Sequence, residues 1–175
     1  MSLPPWHEEA ISRDHDRKSF DCGDADLNRF LHDHARRNHD QGASKTFLAI
    51  DSGDGKTILG FYTLSPTSIA FERTPAVVAK GLPRYEIPMF RLGRLAVSVD
   101  WRGKGLLGGQ LLLAAGRRCL RVAEETGGVG LFIDAKNERL AKWYMSYGAV
   151  PLLDQPLCLV LPFQTIRLAL TASGH

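Results

Sequence analysis

The segment Arg102-Gly103-Lys104-Gly105 combines two glycines and two basic side chains just before a stretch that is expected to be helical. Backbone N–H groups at the start of a helix have no partner within it, and the helix dipole favours negative charge there. Glycine lets the chain turn tightly and lets a phosphate approach the backbone. The segment therefore predicts a diphosphate-binding loop, although basic, glycine-rich turns also begin helices that bind nothing.

A second candidate for a phosphate site is Gly55-Lys56-Thr57, which ends like a kinase-type phosphate loop. The first glycine of that motif would fall at Ile50, and the segment leads into a strand, whereas the motif opens a helix. The sequence therefore excludes a phosphate loop of this type.

The elements that must position the glycine loop follow from periodicity and turn residues. A first helix is predicted from Asp24, its N-cap, because apolar residues recur from Leu27 to Ala35 at helical spacing. A hairpin over residues 45–50 and 57–64 follows, and Asn137 is expected to cap a later helix that runs through Tyr147. The remaining predicted elements are strands over residues 90–99, 129–133, 157–161 and 164–170 and a helix over residues 105–125. This order predicts an α+β or mixed α/β fold, with a mixed sheet and helices on its faces.

Composition limits the class of protein. A chain of 175 residues with 44% hydrophobic content fits one compact domain over residues 1–175. Its most apolar stretches are shorter than the roughly 20 residues of a membrane span, and its first residues do not resemble a secretory signal, so we expect a cytoplasmic protein. The net charge of +3 permits an anionic ligand. The three scattered cysteines are expected to be reduced thiols, and no zinc pattern is present.

Several motifs together resemble one enzyme family. Leu92-Gly93-Arg94-Leu95-Ala96-Val97 followed by Arg102-Gly103-Lys104-Gly105-Leu106 is similar to the core of the GNAT acetyltransferases. Asp134-Ala135-Lys136-Asn137-Glu138 with Trp143-Tyr144 and Tyr147-Gly148-Ala149 resembles the last helix of the toxin branch of that family. Phe20-Asp21-Cys22-Gly23 with Leu27-Asn28-Arg29-Phe30-Leu31 resembles the start of those toxins.

The resemblance implies a sheet that is splayed into a V around acetyl-CoA, and it implies no metal. It assigns the pantetheine arm and the thioester carbonyl to the backbone of Leu95, Ala96 and Val97. It assigns the pyrophosphate to Arg102, Gly103, Lys104 and Gly105. The family usually has Gly or Ala two places after Gly105, where this chain has Leu107, so the last contact of the loop falls on Leu107 or Gly108. Asn137 is a candidate for a hydrogen bond to CoA as well as a helix cap.

Tyr144 matches the tyrosine that acts as a general acid in this family and protonates the departing CoA thiolate. A thiol has an unperturbed pKa of about 8.5 and a phenol one of about 10, so this transfer is mildly uphill. A hydrogen bond to the thiolate is therefore expected to matter as much as proton transfer. The alternative role for Tyr144 is core packing, because Leu140, Trp143 and Tyr147 share its helical spacing.

The toxin branch acetylates the α-amine of aminoacyl-tRNA, and this reaction is expected here. An α-amine has a pKa of about 8 and needs no strong base, which fits a sequence with no obvious dedicated carboxylate base. Glu86 is the best placed candidate for a base, but its expected role is that of a solvated carboxylate in a loop. The cations expected to contact tRNA phosphates are Arg36, Arg37, Lys45, Arg91 and Arg94.

The resemblance also implies a ribbon-helix-helix antitoxin and a homodimer. The alternatives are an acetyltransferase for small-molecule or protein amines, and a non-catalytic acyl-CoA-binding module.

Overall fold

The computed structural model describes residues 2–103 and 106–172. Within these ranges the strands are β1 (Trp6–Ala10), β2 (Lys45–Asp51), β3 (Ile58–Ile69), β4 (Ile87–Val97), β5 (Gly130–Asp134), β6 (Val150–Pro151) and β7 (Cys158–Pro162). The α-helices are α1 (Ala25–Arg29), α2 (Ala35–Gln41), α3 (Ala76–Ala79), α4 (Leu107–Thr126), α5 (Glu138–Met145) and α6 (Phe163–Ala172). None of these helices has both the length and the apolar character that a membrane span requires.

The strands form one mixed sheet in the order β1-β2-β3-β4-β5-β7-β6. β1, β2 and β3 pair antiparallel, β4 and β5 pair parallel, and β7 pairs antiparallel with both β5 and β6. The parallel pair is the one joined by a helical crossover through α4, as parallel pairing requires. The predicted mixed sheet with helices is confirmed.

The chain divides into two compact units. The first contains Met1–Ser65 and Gly93–Leu112, and the second contains Pro66–Leu92 and Leu113–His175. The single domain over residues 1–175 stays a prediction.

In the first unit, the predicted helix start at Asp24 is confirmed. Its carboxylate accepts hydrogen bonds from the backbone N–H groups of Asp26 and Leu27, at 2.9 and 3.2 Å. The helix was expected to continue regularly, but α1 passes through a π-helical turn, Phe30–His34, into α2. This turn buries Phe30, whose ring stacks on Phe61 of β3 with 6.3 Å between centroids.

The sequence did not predict β1, which pairs with β2 along its whole length. The charged residues of this segment, such as Glu8, do not give the apolar alternation from which strands are predicted. An edge strand does not need that pattern, because backbone hydrogen bonds hold it to its neighbour. Glu8 also accepts a hydrogen bond of 2.7 Å from the Tyr62 hydroxyl of β3.

In the second unit, the strand predicted over residues 164–170 is wrong, because this segment lies in α6. The alternation of Ile166, Leu168 and Leu170 suggested a strand, but Leu168 is exposed. The buried residues are Phe163 and Ile166, which are three apart and lie on one face of a helix. Ile166 packs closely against Gly116 of α4. If Gly116 had a Cβ, that atom would be 2.7 Å from Ile166 Cδ1. Close packing against a glycine of another helix therefore decides the conformation.

Candidate functional site

The glycine loop begins where β4 ends. The N–H of Ser98 donates to the carbonyl of Leu59 at 2.8 Å, and the Ser98 carbonyl accepts from the N–H groups of Trp101 and Arg102. Gly103 follows with a left-handed backbone at φ +71°, and nothing lies within 4 Å of the position that a Cβ would take. The loop is thus turned tightly and is open at Gly103, as close approach of a phosphate requires. Lys104 and Gly105 lie outside the described residues.

Arg102 has a structural partner that the sequence did not predict. Its guanidinium donates a 2.9 Å hydrogen bond to the backbone carbonyl of Cys22. The N–H of Val99 donates to the carbonyl of Asp21 in the same segment, at 2.9 Å. Gly23 has a left-handed backbone at φ +83°, which favours glycine, and a Cβ there would be 2.9 Å from this guanidinium. One N–H of Arg102 therefore binds the chain itself, and this bond does not use the other guanidinium donors.

The Cys22 segment is itself fixed by side chains. The Asp21 carboxylate accepts from the Gly23 N–H and the Asn28 amide, which together lower the pKa of Asp21. The Asn28 amide oxygen accepts from the Cys22 N–H at 2.9 Å. The turn-forming residues at 21–24, together with Asn28, could have indicated this set of hydrogen bonds from the sequence. The set fixes the segment that contacts Arg102 at the start of the glycine loop.

The departure from the family pattern at Leu107 is accommodated in the core. Leu107 is the first residue of α4 and is 1% exposed. A Cβ at Gly60 of β3 would be 3.5 Å from Leu107 Cδ2 and 2.9 Å from Leu111 Cδ1, so this glycine makes room for both leucines. The Leu107 side chain therefore faces the protein, and only backbone groups of Leu107 and Gly108 are left for a ligand.

Leu106, just before the helix, has the left-handed backbone that glycine favours. Its φ is +59° and its side chain is 80% exposed. A left-handed leucine costs roughly 1–2 kcal/mol of strain. Strain of this kind concentrates at ligand-binding turns, which agrees with the position of the loop.

The last residues of β4 were expected to bind the pantetheine arm through their backbone. Ala96 is buried, whereas Leu95 and Val97 are half-buried. The Ala96 carbonyl lies close to Gly60 of β3: a Cβ at Gly60 would be 2.7 Å from the Ala96 oxygen. β3 therefore approaches the end of β4 very closely here. The backbone of this segment is thus fixed from one side by a residue that has no side chain.

Tyr144 lies on the buried face of α5 and is 9% exposed. Burial raises the pKa of its phenol to about 12, so the hydroxyl is protonated at neutral pH. Its ring meets Trp143 edge to face, with 4.9 Å between centroids.

The helix begins at Asn137, whose side-chain oxygen accepts from the Leu140 N–H at 2.9 Å, so the predicted cap is confirmed. The Asn137 amide N–H groups are not used by this cap.

Most of the cations predicted to bind tRNA have partners within the chain. Arg36 pairs with Asp40 at 2.8 Å, and Lys45 donates to the His39 carbonyl at 2.9 Å. The Arg94 guanidinium lies 3.6 Å from the centroid of the Phe30 ring. These contacts restrain the three side chains, and the Asp40 carboxylate offsets part of the charge of Arg36.

Arg37, Arg91 and Glu86 complete the predicted set. Arg37 is exposed on α2. In the second unit Arg91 lies 3.7 Å from Asp134, and this contact offsets part of its charge. Glu86 is an exposed carboxylate just before β4. Across residues 2–103 and 106–172, no three histidine, cysteine, aspartate or glutamate side chains are grouped to hold a metal ion.

Comparison with known proteins gives close relatives over nearly the whole chain. A tRNA-acetylating toxin from Mycobacterium tuberculosis is 31% identical over 157 residues, which cover 90% of this chain and 92% of that protein. No family model matches the chain. Among solved structures, AtaT complexed with acetyl-methionyl-tRNAfMet aligns with a TM-score of 0.87 at 28% identity, over 94% of this chain and 99% of that one. A tyrosine-to-phenylalanine mutant of AtaT bound to the C-terminus of the antitoxin AtaR and acetyl-CoA aligns with a TM-score of 0.80 at 27% identity, over 95% and 98%.

Proposed function

The chain belongs to the family of tRNA-acetylating toxins with the GNAT fold, and we propose that it transfers the acetyl group of acetyl-CoA to the α-amine of an aminoacyl-tRNA. It is an acetyltransferase, and acetyl-CoA is its co-substrate. The observation that carries this proposal is the 31% identity to a tRNA-acetylating toxin over nine-tenths of the chain. The local geometry supports it, because the glycine loop, the end of β4 and the buried tyrosine each have the form that the reaction needs.

Acetyl-CoA is assigned first to the glycine loop. The pyrophosphate is placed at Gly103, where the backbone is open, and Arg102 is assigned to it through the guanidinium donors that its bond to Cys22 does not use. Lys104 and Gly105 complete this loop in the sequence, and the backbone N–H groups of Leu107 and Gly108 open the helix that follows. A helix N-terminus with free N–H groups stabilises a diphosphate.

The pantetheine arm and the thioester carbonyl are assigned to the backbone at Leu95, Ala96 and Val97. Asn137, whose amide N–H groups are not used by its helix cap, is assigned as a further contact for CoA. Backbone donors held rigidly at a strand end stabilise the negative charge that develops on the carbonyl oxygen during attack. The close approach of Gly60 to the Ala96 carbonyl supports such rigidity.

The chemistry is a direct acyl transfer. The neutral α-amine attacks the thioester carbonyl carbon, the C–N bond forms, the C–S bond breaks, and the amine releases a proton to solvent. Tyr144 faces the departing thiolate as a hydrogen-bond donor. Because burial raises the pKa of Tyr144 to about 12, full transfer of its proton to a thiolate is more strongly uphill than the sequence alone suggested. A hydrogen bond that lowers the basicity of the thiolate is therefore its main contribution.

The tRNA is assigned to the cations Arg36, Arg37, Lys45, Arg91 and Arg94. The contacts of Arg36, Lys45 and Arg94 hold these side chains in fixed positions, which lowers the entropy lost when phosphates bind. Arg37 contributes an exposed charge on the same helix as Arg36.

The chain is also paired with an antitoxin, as AtaT is with AtaR. We assign this antitoxin to the ribbon-helix-helix class and the toxin to a homodimer. Analytical ultracentrifugation of the purified chain will give twice its mass if the dimer is right, and the mass of one chain if it is wrong. A folded antitoxin N-terminus without that DNA-binding motif would contradict the class.

An acceptor screen tests the proposed reaction. The purified chain is mixed with acetyl-CoA labelled in its acetyl group and with bulk aminoacyl-tRNA, lysine peptides or polyamines in separate reactions. We expect label in N-acetylaminoacyl-tRNA alone, with uncharged tRNA as the matched control. Label in peptides or polyamines but not in tRNA would assign the chain to another acceptor. CoA binding with no transfer to any acceptor would indicate a non-catalytic module.

A further inference from the structure

The end of α5 presents two aromatic rings that neither the core nor the proposed mechanism uses. Arg139, Trp143 and Tyr147 are spaced four residues apart, so they lie along one face of the helix. The Tyr147 N–H donates to the Tyr144 carbonyl at 3.0 Å, which continues the helical turn past Met145. The rings of Trp143 and Tyr147 meet edge to face, with 5.0 Å between centroids.

Core packing does not account for this pair. The residues of α5 that are buried are Ala141 and Tyr144, on the neighbouring face of the helix. Trp143 is only half-buried, and Tyr147 is 41% exposed. The edge-to-face contact restrains both rings, and the parts of them that face solvent offer aromatic surface on which a nucleobase can stack.

We propose that Trp143 and Tyr147 form a stacking site for the terminal adenine of the aminoacyl-tRNA. This inference rests on the proposed function, because it names how that substrate is held. Bases at the single-stranded end of a tRNA are unpaired, and proteins bind such bases on aromatic side chains.

The position of Tyr144 favours the tRNA over CoA as the source of this adenine. Trp143 is in direct contact with Tyr144, which faces the thioester in the proposed reaction. The α-amine of the acceptor is esterified to the terminal ribose, so the terminal base must lie close to the same point. The adenine of CoA, in contrast, is separated from its sulfur by the whole pantetheine arm and the pyrophosphate.

The charge of the helix agrees with a nucleic acid at this face. Arg139 is exposed one turn before Trp143. Lys142 is also exposed, and its contact with Glu138 is long, at 3.8 Å. Such a solvent-exposed pair is weak and is readily exchanged for a phosphate. Cations beside stacking rings are the usual composition of a site for single-stranded ends.

Binding measurements test this site without requiring acetyl transfer. Fluorescence anisotropy gives the Kd of the full chain for two uncharged tRNAs, one with an intact 3′ end and one lacking the terminal adenosine. We expect the intact tRNA to bind roughly 10-fold more tightly, and Trp143→Leu and Tyr147→Leu to abolish this difference. Trp143→Phe keeps a ring and should restore most of it. Met145→Leu, at an exposed residue of the same helix, is the matched control and should change nothing.

Three results would overturn the inference. The wild type binds both tRNAs equally, or the leucine variants keep the preference for the intact end, or these variants weaken acetyl-CoA binding by calorimetry while tRNA binding is unchanged. Because Tyr147 is exposed, Tyr147→Leu remains informative if Trp143→Leu does not fold. The acceptor screen can fail while the preference for the intact end is present, so the two proposals are separable.

Discussion

Tyr144 is the residue on which the proposed chemistry depends most. Its burial raises the pKa of the phenol to about 12, in the direction that keeps the proton on the tyrosine. The hydrogen-bonding form is therefore fully present at neutral pH and is lost only as the pH rises through about 12. The acceptor α-amine, with a pKa near 8, must instead lose its proton to attack. The two groups thus set opposite limits on the pH range of activity.

The pH dependence of transfer follows from these two limits. We expect kcat/KM for aminoacyl-tRNA to rise up to about pH 8 and then to stay level to about pH 10, because, of these two groups, it is the amine that loses its proton in this range. Short single-turnover reactions measure this before the aminoacyl ester hydrolyses. A decline between about pH 8 and 10 that is absent from Tyr144→Phe would contradict the raised pKa.

At the scale of single residues, the sequence predicted types of group better than their contacts. The glycines and basic residues of the loop and the tyrosine were identified from the chain alone. The hydrogen bond from Arg102 to the Cys22 carbonyl joins residues 80 positions apart, and no local pattern reveals such a contact. The left-handed backbone of Leu106 could not be predicted from the sequence either, because leucine does not normally adopt this conformation.

At the scale of elements, the close approach of β3 and β4 at Gly60 holds the strand end in place. The Ala96 carbonyl and the Leu111 side chain both occupy the space beside Gly60 that a side chain would need. The hydrogen bond from Ser98 to Leu59 joins the same two segments, one residue before Gly60 and two residues after Ala96. The position of residues 95–97 is therefore sensitive to the size of one residue on the neighbouring strand.

Gly60→Ala should shift this strand end. A Cβ 2.7 Å from a backbone oxygen cannot be relieved by a rotamer change, so we expect a loss of about 1–3 kcal/mol in the free energy of unfolding. We also expect kcat/KM to fall by about 10-fold or more, because misplacement by one ångström costs up to about 100-fold. Urea denaturation and steady-state kinetics measure the two effects.

Gly42→Ala is the matched control for this substitution. Gly42 caps α2 with a φ of +79°, and nothing lies within 4 Å of its Cβ position. The control should lose roughly 1 kcal/mol of stability through backbone strain and keep its kinetic constants. Equal kinetic losses in both variants would show that Gly60 acts through stability alone.

The elements that sequence analysis located well are those with strong local signals. Asp24 and Asn137 are N-caps as predicted, and the hairpin of β2 and β3 forms around its turn residues. The larger failures are β1, an edge strand with charged side chains, and α6, whose apolar residues alternate like those of a strand; the short elements α3 and β6 were also not predicted. In both cases pairing or packing with a distant segment decides the structure, and periodicity does not encode that segment.

At the scale of the whole molecule, net charge says little about where tRNA binds. The formal charge is only +3, so binding depends on where the cations lie. Arg36, Lys45 and Arg94 use contacts within the chain to fix their side chains, and the sequence did not predict these contacts. The identity of the reaction, in contrast, was predictable because the motifs that resemble the GNAT toxins extend over most of the chain.

The most direct test of the account is a single-turnover comparison of wild type and Tyr144→Phe with acetyl-CoA and aminoacyl-tRNA. Rapid quenching gives the rate of N-acetylaminoacyl-tRNA formation, and calorimetry gives the Kd for acetyl-CoA. We predict that the wild type acetylates charged tRNA and that the variant does so about 100-fold more slowly with nearly unchanged acetyl-CoA affinity, because removing one positioned hydrogen-bond donor to a developing charge costs at least about that factor. No transfer by the wild type to any charged tRNA, or an equal rate in the variant, would contradict the account.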